Sequence, residues 1–169
     1  PHRMPALPFR PDRPQQPQTC ATTARHATMT ALVIDTNWVL DLWVFRDPRA
    51  DALAQALARG EVTWWVCPGM REECERVLGY RNVQKSLQAR AIGTTEVIAH
   101  FDRMSRMTET PPAGGLRCVD PDDQVFVDLA VALRATLVSK DDHLLRLRKR
   151  LLAKGVQVSP VWPLPAEKC

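Results

Sequence analysis

The residues best placed to do chemistry are carboxylates that follow apolar runs. Asp35 comes directly after Ala31-Leu32-Val33-Ile34, and Lys140-Asp141-Asp142 comes directly after Thr136-Leu137-Val138-Ser139. Glu73 lies in the segment opened by Pro68, and Asp120-Pro121-Asp122-Asp123 packs three acids into four residues. Carboxylates gathered in one pocket repel, and some protonate unless a cation sits among them. Oxygen-only ligands suit Mg²⁺ or Mn²⁺, which keep several waters and bridge to phosphate. Five cysteines, Cys20, Cys67, Cys74, Cys118 and Cys169, form no C-x-x-C pair, so neither a zinc site nor a disulfide framework is expected. His100 and His143 stand alone in the sequence and read as surface residues.

Each acid also has a plain structural role. Asp35 and Asp141 can cap the helices that follow them. Asp120 can cap another, with Pro121 at its first position and the remaining acids favouring its dipole. At this level Asp122 and Asp123 stay interchangeable, and so do Asp141 and Asp142. The helix after Pro68 discriminates better. At about 100° per residue, Met70, Cys74, Val77 and Leu78 form one apolar stripe. Glu73 lies at its edge, while Glu72 and Glu75 point to water. Placing an acid near an inner face costs several kcal/mol unless a donor or cation compensates, so Glu73 needs an explanation.

These residues require elements that hold them. Strands are predicted at 31–34, 62–66, 116–119, 136–139 and 156–159. Helices are predicted over 37–45, 49–59, 68–78, 82–91, 94–107, 122–134 and 142–154. Strands alternating with helices indicate an α/β domain with a mainly parallel central sheet. Right-handed crossovers place helices on both faces, which gives a three-layer α/β/α sandwich. In such sheets, sites form beyond the carboxyl ends of the strands, where these acids fall.

Composition bounds the rest. The chain of 169 residues is 45% hydrophobic and 25% charged, as expected of one globular domain. Four arginines against one aspartate in residues 1–30 account for most of the net charge of +4. The body is therefore nearly neutral, and global charge makes no case for nucleic acid. Locally, Arg146, Arg148, Lys149 and Arg150 offer a basic rim for phosphates. Residues 1–29 are rich in Pro and Thr and are expected to be a disordered tail or a non-native extension. The folded domain is expected over 30–160, with a C-terminal tail over 161–169. No apolar run reaches the roughly 20 residues of a bilayer span, and no signal-peptide core precedes residue 30, so a cytoplasmic location and no membrane partner are expected.

Four short motifs together resemble the PIN-domain nucleases. Leu32-Val33-Ile34-Asp35-Thr36-Asn37 is similar to that family's opening motif, and Glu73-Cys74-Glu75-Arg76-Val77-Leu78 to its second acidic helix. Asp123, seven residues before Ala130, matches the third acid, and Val138-Ser139-Lys140-Asp141 matches the closing motif. The resemblance spans about residues 31–159 and is greatest to bacterial toxin components of toxin–antitoxin pairs. Trp38 departs from it, standing where the family usually has a smaller aliphatic residue, and Ser139 stands where Thr is usual. The resemblance implies that Asp35, Glu73, Asp123 and Asp141 hold one or two Mg²⁺ or Mn²⁺ ions, with Asn37 and Ser139 as polar supports. It further implies an endoribonuclease with RNA as substrate, a protein antitoxin as partner, and a homodimer as one possible assembly.

Two other readings compete. A haloacid-dehalogenase-like phosphatase would use Asp35 as nucleophile with Lys140 and the pair Asp141-Asp142. It usually wants a second Asp two residues after the first, where this sequence has Asn37. A non-catalytic RNA- or protein-binding module of the same fold would not need the full acid set. If residues 1–29 contribute nothing to folding, a chain beginning at Met29 matches the full chain in melting temperature and nuclease rate. A loss of several degrees in a thermal melt would show that the segment packs on the body.

Overall fold

The structure, a computed structural model, describes residues 29–164. Most of the expected N-terminal extension, and the last five residues of the C-terminal segment, lie outside the described residues. Five strands form one sheet: β1 (Thr30–Ile34), β2 (Val62–Val66), β3 (Ser105–Met107), β4 (Thr136–Val138) and β5 (Val158–Ser159). Their order is β3-β2-β1-β4-β5 and every pairing is parallel. The order reverses between β1 and β4, so the crevice of this sheet opens at the carboxyl ends of those two strands.

Eight α-helices accompany the sheet among the described residues: α1 (Thr36–Leu40), α2 (Asp51–Ala58), α3 (Pro68–Leu78), α4 (Arg81–Ala89), α5 (Thr94–Met104), α6 (Gln124–Leu133), α7 (Asp142–Arg146) and α8 (Arg148–Leu152). They cover both faces and make the three-layer sandwich. β1 is central and reads as an unbroken apolar run because both its faces are covered; Leu32, Val33 and Ile34 are fully buried. Leu137 and Val138 of β4 are buried equally. On the β2 side, Trp64 packs edge to face on Phe101 at 4.7 Å and stacks with Trp43 at 5.7 Å.

Several elements differ from the sequence expectation. The helix expected over 37–45 is α1 followed by a π-helical turn, Asp41–Phe45. The helix expected over 94–107 ends at Met104, and Ser105–Met107 pair with Trp64–Val66 as β3. The strand expected at 116–119 does not form. Leu116 is buried there, but Val119 is 81% exposed and the segment is irregular. The basic helix expected over 142–154 is two short helices separated at Leu147. The expected C-terminal tail begins as packed chain, because Trp162 lies against the core.

Candidate active site

Asp35 is the deepest acid. It ends β1 and caps α1 in extended geometry (φ −71°, ψ 163°). Its Oδ1 accepts the Trp38 backbone N–H at 3.1 Å, and its Oδ2 accepts the Ser139 hydroxyl. The capping role is thus met by one oxygen, while the other is held by the end of β4. Asp35 is 4% exposed and its backbone N–H bonds to Val138 O at 3.1 Å, so β1 and β4 end together. Burial pushes its carboxyl up to about 6, against the opposing hydrogen bonds from Ser139 and the backbone.

Ser139 acts as a hinge pin at the end of β4. Its Oγ gives its proton to Asp35 and accepts the Asp141 backbone N–H at 3.0 Å. Asp141 then caps α7, with Oδ1 accepting the N–H groups of His143 (2.7 Å) and Leu144 (3.3 Å). Its Oδ2 makes no hydrogen bond to a described residue. Asn37, expected as a polar support, is exposed and makes no side-chain hydrogen bond among the described residues.

Glu73 arrives from α3, in the phase expected from its apolar stripe. Its Oε1 accepts the Thr36 hydroxyl at 2.9 Å, which joins α3 to the first turn of α1. Partial burial, followed by the charges of Asp122 and Asp123, pushes its carboxyl up to about 7. Glu72 is exposed on the neighbouring face. The sequence singled out Glu73 but missed Thr36, which is buried and is its hydrogen-bond donor.

The structure separates the two pairs that the sequence left open. Asp122 is exposed and pairs with Arg76 at 2.8 Å, a solvated contact worth little. Asp123 is half-buried, and its carboxyl is pushed up to about 6 by burial and by the charges of Asp141, Asp120 and Asp35. Asp123 and Asp141 thus share a field with Asp35, whereas Asp142 is exposed. His143, read from the sequence as unrelated, is near enough for its charge to oppose the shift of Asp123.

A polar clamp that the sequence did not flag holds the loop ahead of Asp123. Gln124 Nε2 donates to Leu116 O (2.8 Å) and to Asp128 Oδ1 (2.9 Å), while its Oε1 accepts the Cys118 N–H (2.9 Å). Asp128 Oδ1 also accepts the Gly114 N–H at 2.8 Å. The only sequence signal was an acid inside the apolar run Val125–Leu133.

The donor set tests whether a cation fits. Asp35, Glu73 and Asp123 are all held above the usual carboxylate range, first by burial and, for Glu73 and Asp123, by neighbouring acids as well. Among the described residues, no three acids, histidines or cysteines are placed to hold a metal ion by themselves. Oxygen donors of this kind suit a hard cation that keeps much of its own water shell. Thiol chemistry is remote, because burial pushes Cys74 up to about 12 and Cys118 to about 11. Lys140, the lysine a phosphatase would need at Asp35, instead pairs with Asp41 and lies over Trp38.

The family model of the PIN domain matches residues 31–143, a span that contains all four acids. The chain belongs to the PIN domain family. Among solved structures, this PIN domain is similar to "Crystal structure of VapBC2 from Rickettsia felis bound to a DNA fragment from their promoter". The match has a TM-score of 0.55, with 12% sequence identity, over 77% of this chain and 98% of that chain. At that identity the likeness shows the fold. No curated protein matches the chain.

The acid cluster generates a pH test. Carboxyls raised in the native state favour folding when protonated. The stability they contribute is complete below the unfolded value near 4 and is lost as pH rises through about 6 to 7. In EDTA, the melting temperature contributed by these groups therefore falls between pH 5 and pH 8. Glu73→Gln flattens that fall and raises the melting temperature at pH 8, whereas Glu72→Gln leaves the profile unchanged. A melt series in which Glu72→Gln is the variant that flattens the profile would place the wrong face of α3 at the site.

Proposed function

We propose that this PIN domain is a metal-dependent endoribonuclease and the toxin of a toxin–antitoxin pair. The observation that carries the reading is the convergence of Asp35, Glu73, Asp123 and Asp141 at the β1–β4 crevice, where burial raises the first three carboxyls to about 6, 7 and 6 and the charges of Asp141 and Asp35 add to the rise at Asp123. Those four residues would hold Mg²⁺ or Mn²⁺. Such an ion, when bound, acidifies water and offsets the charge that builds on a phosphate in hydrolysis.

The protein's own groups divide the remaining work. The Ser139 hydroxyl and Trp38 N–H orient the two oxygens of Asp35, leaving their outer lone pairs for a cation. Thr36 fixes Glu73 Oε1, so Oε2 remains to take the proton of an attacking water. Water attacks phosphorus, the opposite P–O bond breaks, and the departing oxygen takes up a proton. No covalent protein intermediate is required. Arg146, Arg148, Lys149 and Arg150 are all exposed, and none makes an ion pair with a described residue. They serve as contacts for RNA phosphates.

An antitoxin protein as partner is supported by the similarity in fold to VapBC2, a complex bound to DNA of its own promoter. A homodimer belongs to the same proposal, as does a cytoplasmic location. Among the described residues no helix is long and apolar enough to cross a membrane.

Purified protein incubated with mixed-sequence single-stranded RNA and Mn²⁺ is expected to cleave it, and EDTA is expected to stop cleavage. Asp35→Asn lowers the rate by orders of magnitude. Ser139→Ala, which removes only an orienting donor, costs about 10–100-fold. Cleavage that persists in EDTA, or in the Asp35→Asn protein, contradicts the metal mechanism.

A further inference from the structure

A cleft of about 490 Å³ lies beside the acid site, lined by Trp38, Arg49, Lys140, Pro160, Val161 and Trp162. These residues follow the carboxyl ends of β1, β4 and β5. The acids come from the ends of β1 and β4, from α3 and from the turn ahead of α6. The two sites share the chain at the end of β4: Lys140 lines the cleft, while Ser139 and Asp141 on either side of it belong to the acid site. Trp38 links them as well, since its backbone N–H holds Asp35 and its ring lines the cleft.

We infer that this cleft is a nucleotide subsite, which takes the base and phosphate of an RNA residue adjacent to the bond being cut. The inference rests on the nuclease reading above and adds a site for one unit of its substrate. The volume falls within the roughly 300–1,000 Å³ of small-ligand clefts, so a nucleotide fits. Trp162, partly exposed, supplies aromatic surface of the kind on which bases stack without regard to sequence, while Trp38 lies beneath Lys140. Both charged residues of the lining are cationic, in contrast with the carboxylates next door.

The two cations are held differently. Lys140 Nζ is anchored by Asp41 of the π-helical turn and lies 4.6 Å from the Trp38 ring centroid, so its charge is fixed above an aromatic floor. Arg49 pairs with Asp47 at 2.6 Å, but its side chain is 78% exposed. Its Nε and Nη2 hold Asp47, and its remaining N–H groups stay available to a phosphate. Trp38 is 1% exposed, and its indole N–H finds no acceptor among the described residues.

The test uses the full chain carrying Asp35→Asn, so that RNA is held and not cut. Hexaadenylate labelled at its 5′ end is titrated in Mg²⁺, and binding is followed by fluorescence anisotropy. Adding Trp162→Ala is expected to weaken binding about 10-fold, within the range for loss of one stacked base, and Trp162→Phe is expected to restore most of it. Adding Arg49→Ala, at a site too exposed to disturb the fold, should weaken binding and lower the slope of log Kd against log salt by about one. Unchanged affinity in both Trp162→Ala and Arg49→Ala overturns the inference. Cleavage by the chain with Asp35 intact is scored separately. If it cuts RNA while the cleft variants bind normally, the subsite falls and the nuclease reading stands. If the cleft variants lose binding but the intact chain never cuts, the nuclease reading falls and the nucleotide site stands. If hexaadenylate does not bind at all, the subsite is refuted.

Discussion

The structure depends on a carboxylate kept out of water. Asp35 sits at the sheet's reversal point, 4% exposed, with one oxygen on the Trp38 amide and the other on the Ser139 hydroxyl. Those two contacts join the start of α1 to the end of β4, elements 104 positions apart in the chain. They satisfy part of the acid's need for donors and leave its charge uncompensated. A buried acid in that condition is costly for stability alone, because an apolar residue would pack there without penalty. A site that binds a cation gives the cost a purpose.

The remaining acids extend the same logic outward. Glu73 is held by Thr36 from the adjoining helix, and Asp141 by the amides of α7. Asp123 is placed by the loop that Gln124 and Asp128 pin at Gly114, Leu116 and Cys118. Each acid has at least one scaffold contact of its own or next to it in sequence, and none forms an ion pair with a described residue. Where a carboxylate does meet a guanidinium, as Asp122 meets Arg76 or Asp102 meets Arg71, the pair lies on the surface. Asp35, Glu73, Asp123 and Asp141 have no such pair among the described residues.

Much of this was legible in the sequence, for physical reasons. A strand buried on both faces must be an apolar run, so β1 and β4 declare themselves, and an acid directly after such a run stands at the sheet's carboxyl edge. Helical phase separated Glu73 from Glu72 because α3 has a clear apolar stripe. What failed depended on tertiary context. Ser105-Arg106-Met107 has no strand pattern of its own and becomes β3 only because the edge of β2 is open to it. Leu116 looked like the start of a strand, yet it is buried in an irregular segment whose carbonyl Gln124 holds. The break at Leu147 is invisible because Leu144 and Leu151 keep helical spacing across it. Asn37 matched a motif by position, but the structure leaves its side chain in solvent. Aromatic and cationic groups from Trp38 to Trp162 form one cleft only once β1, β4 and β5 are neighbours.

The central claim is that Asp35 and its neighbours form a site for a divalent cation, and direct binding tests it without reference to any substrate. Isothermal titration of Mn²⁺ into the EDTA-stripped, full-length protein at pH 7.5 should show one or two sites and release of protons, since carboxyls held near pH 6 to 7 must ionise fully to ligate. Lowering the pH to 5.5 should weaken binding, and Asp35→Asn should abolish it in a protein that still melts cooperatively. Mn²⁺ binding of equal strength in the Asp35→Asn protein, or no binding by the unaltered chain at neutral pH, would contradict the account.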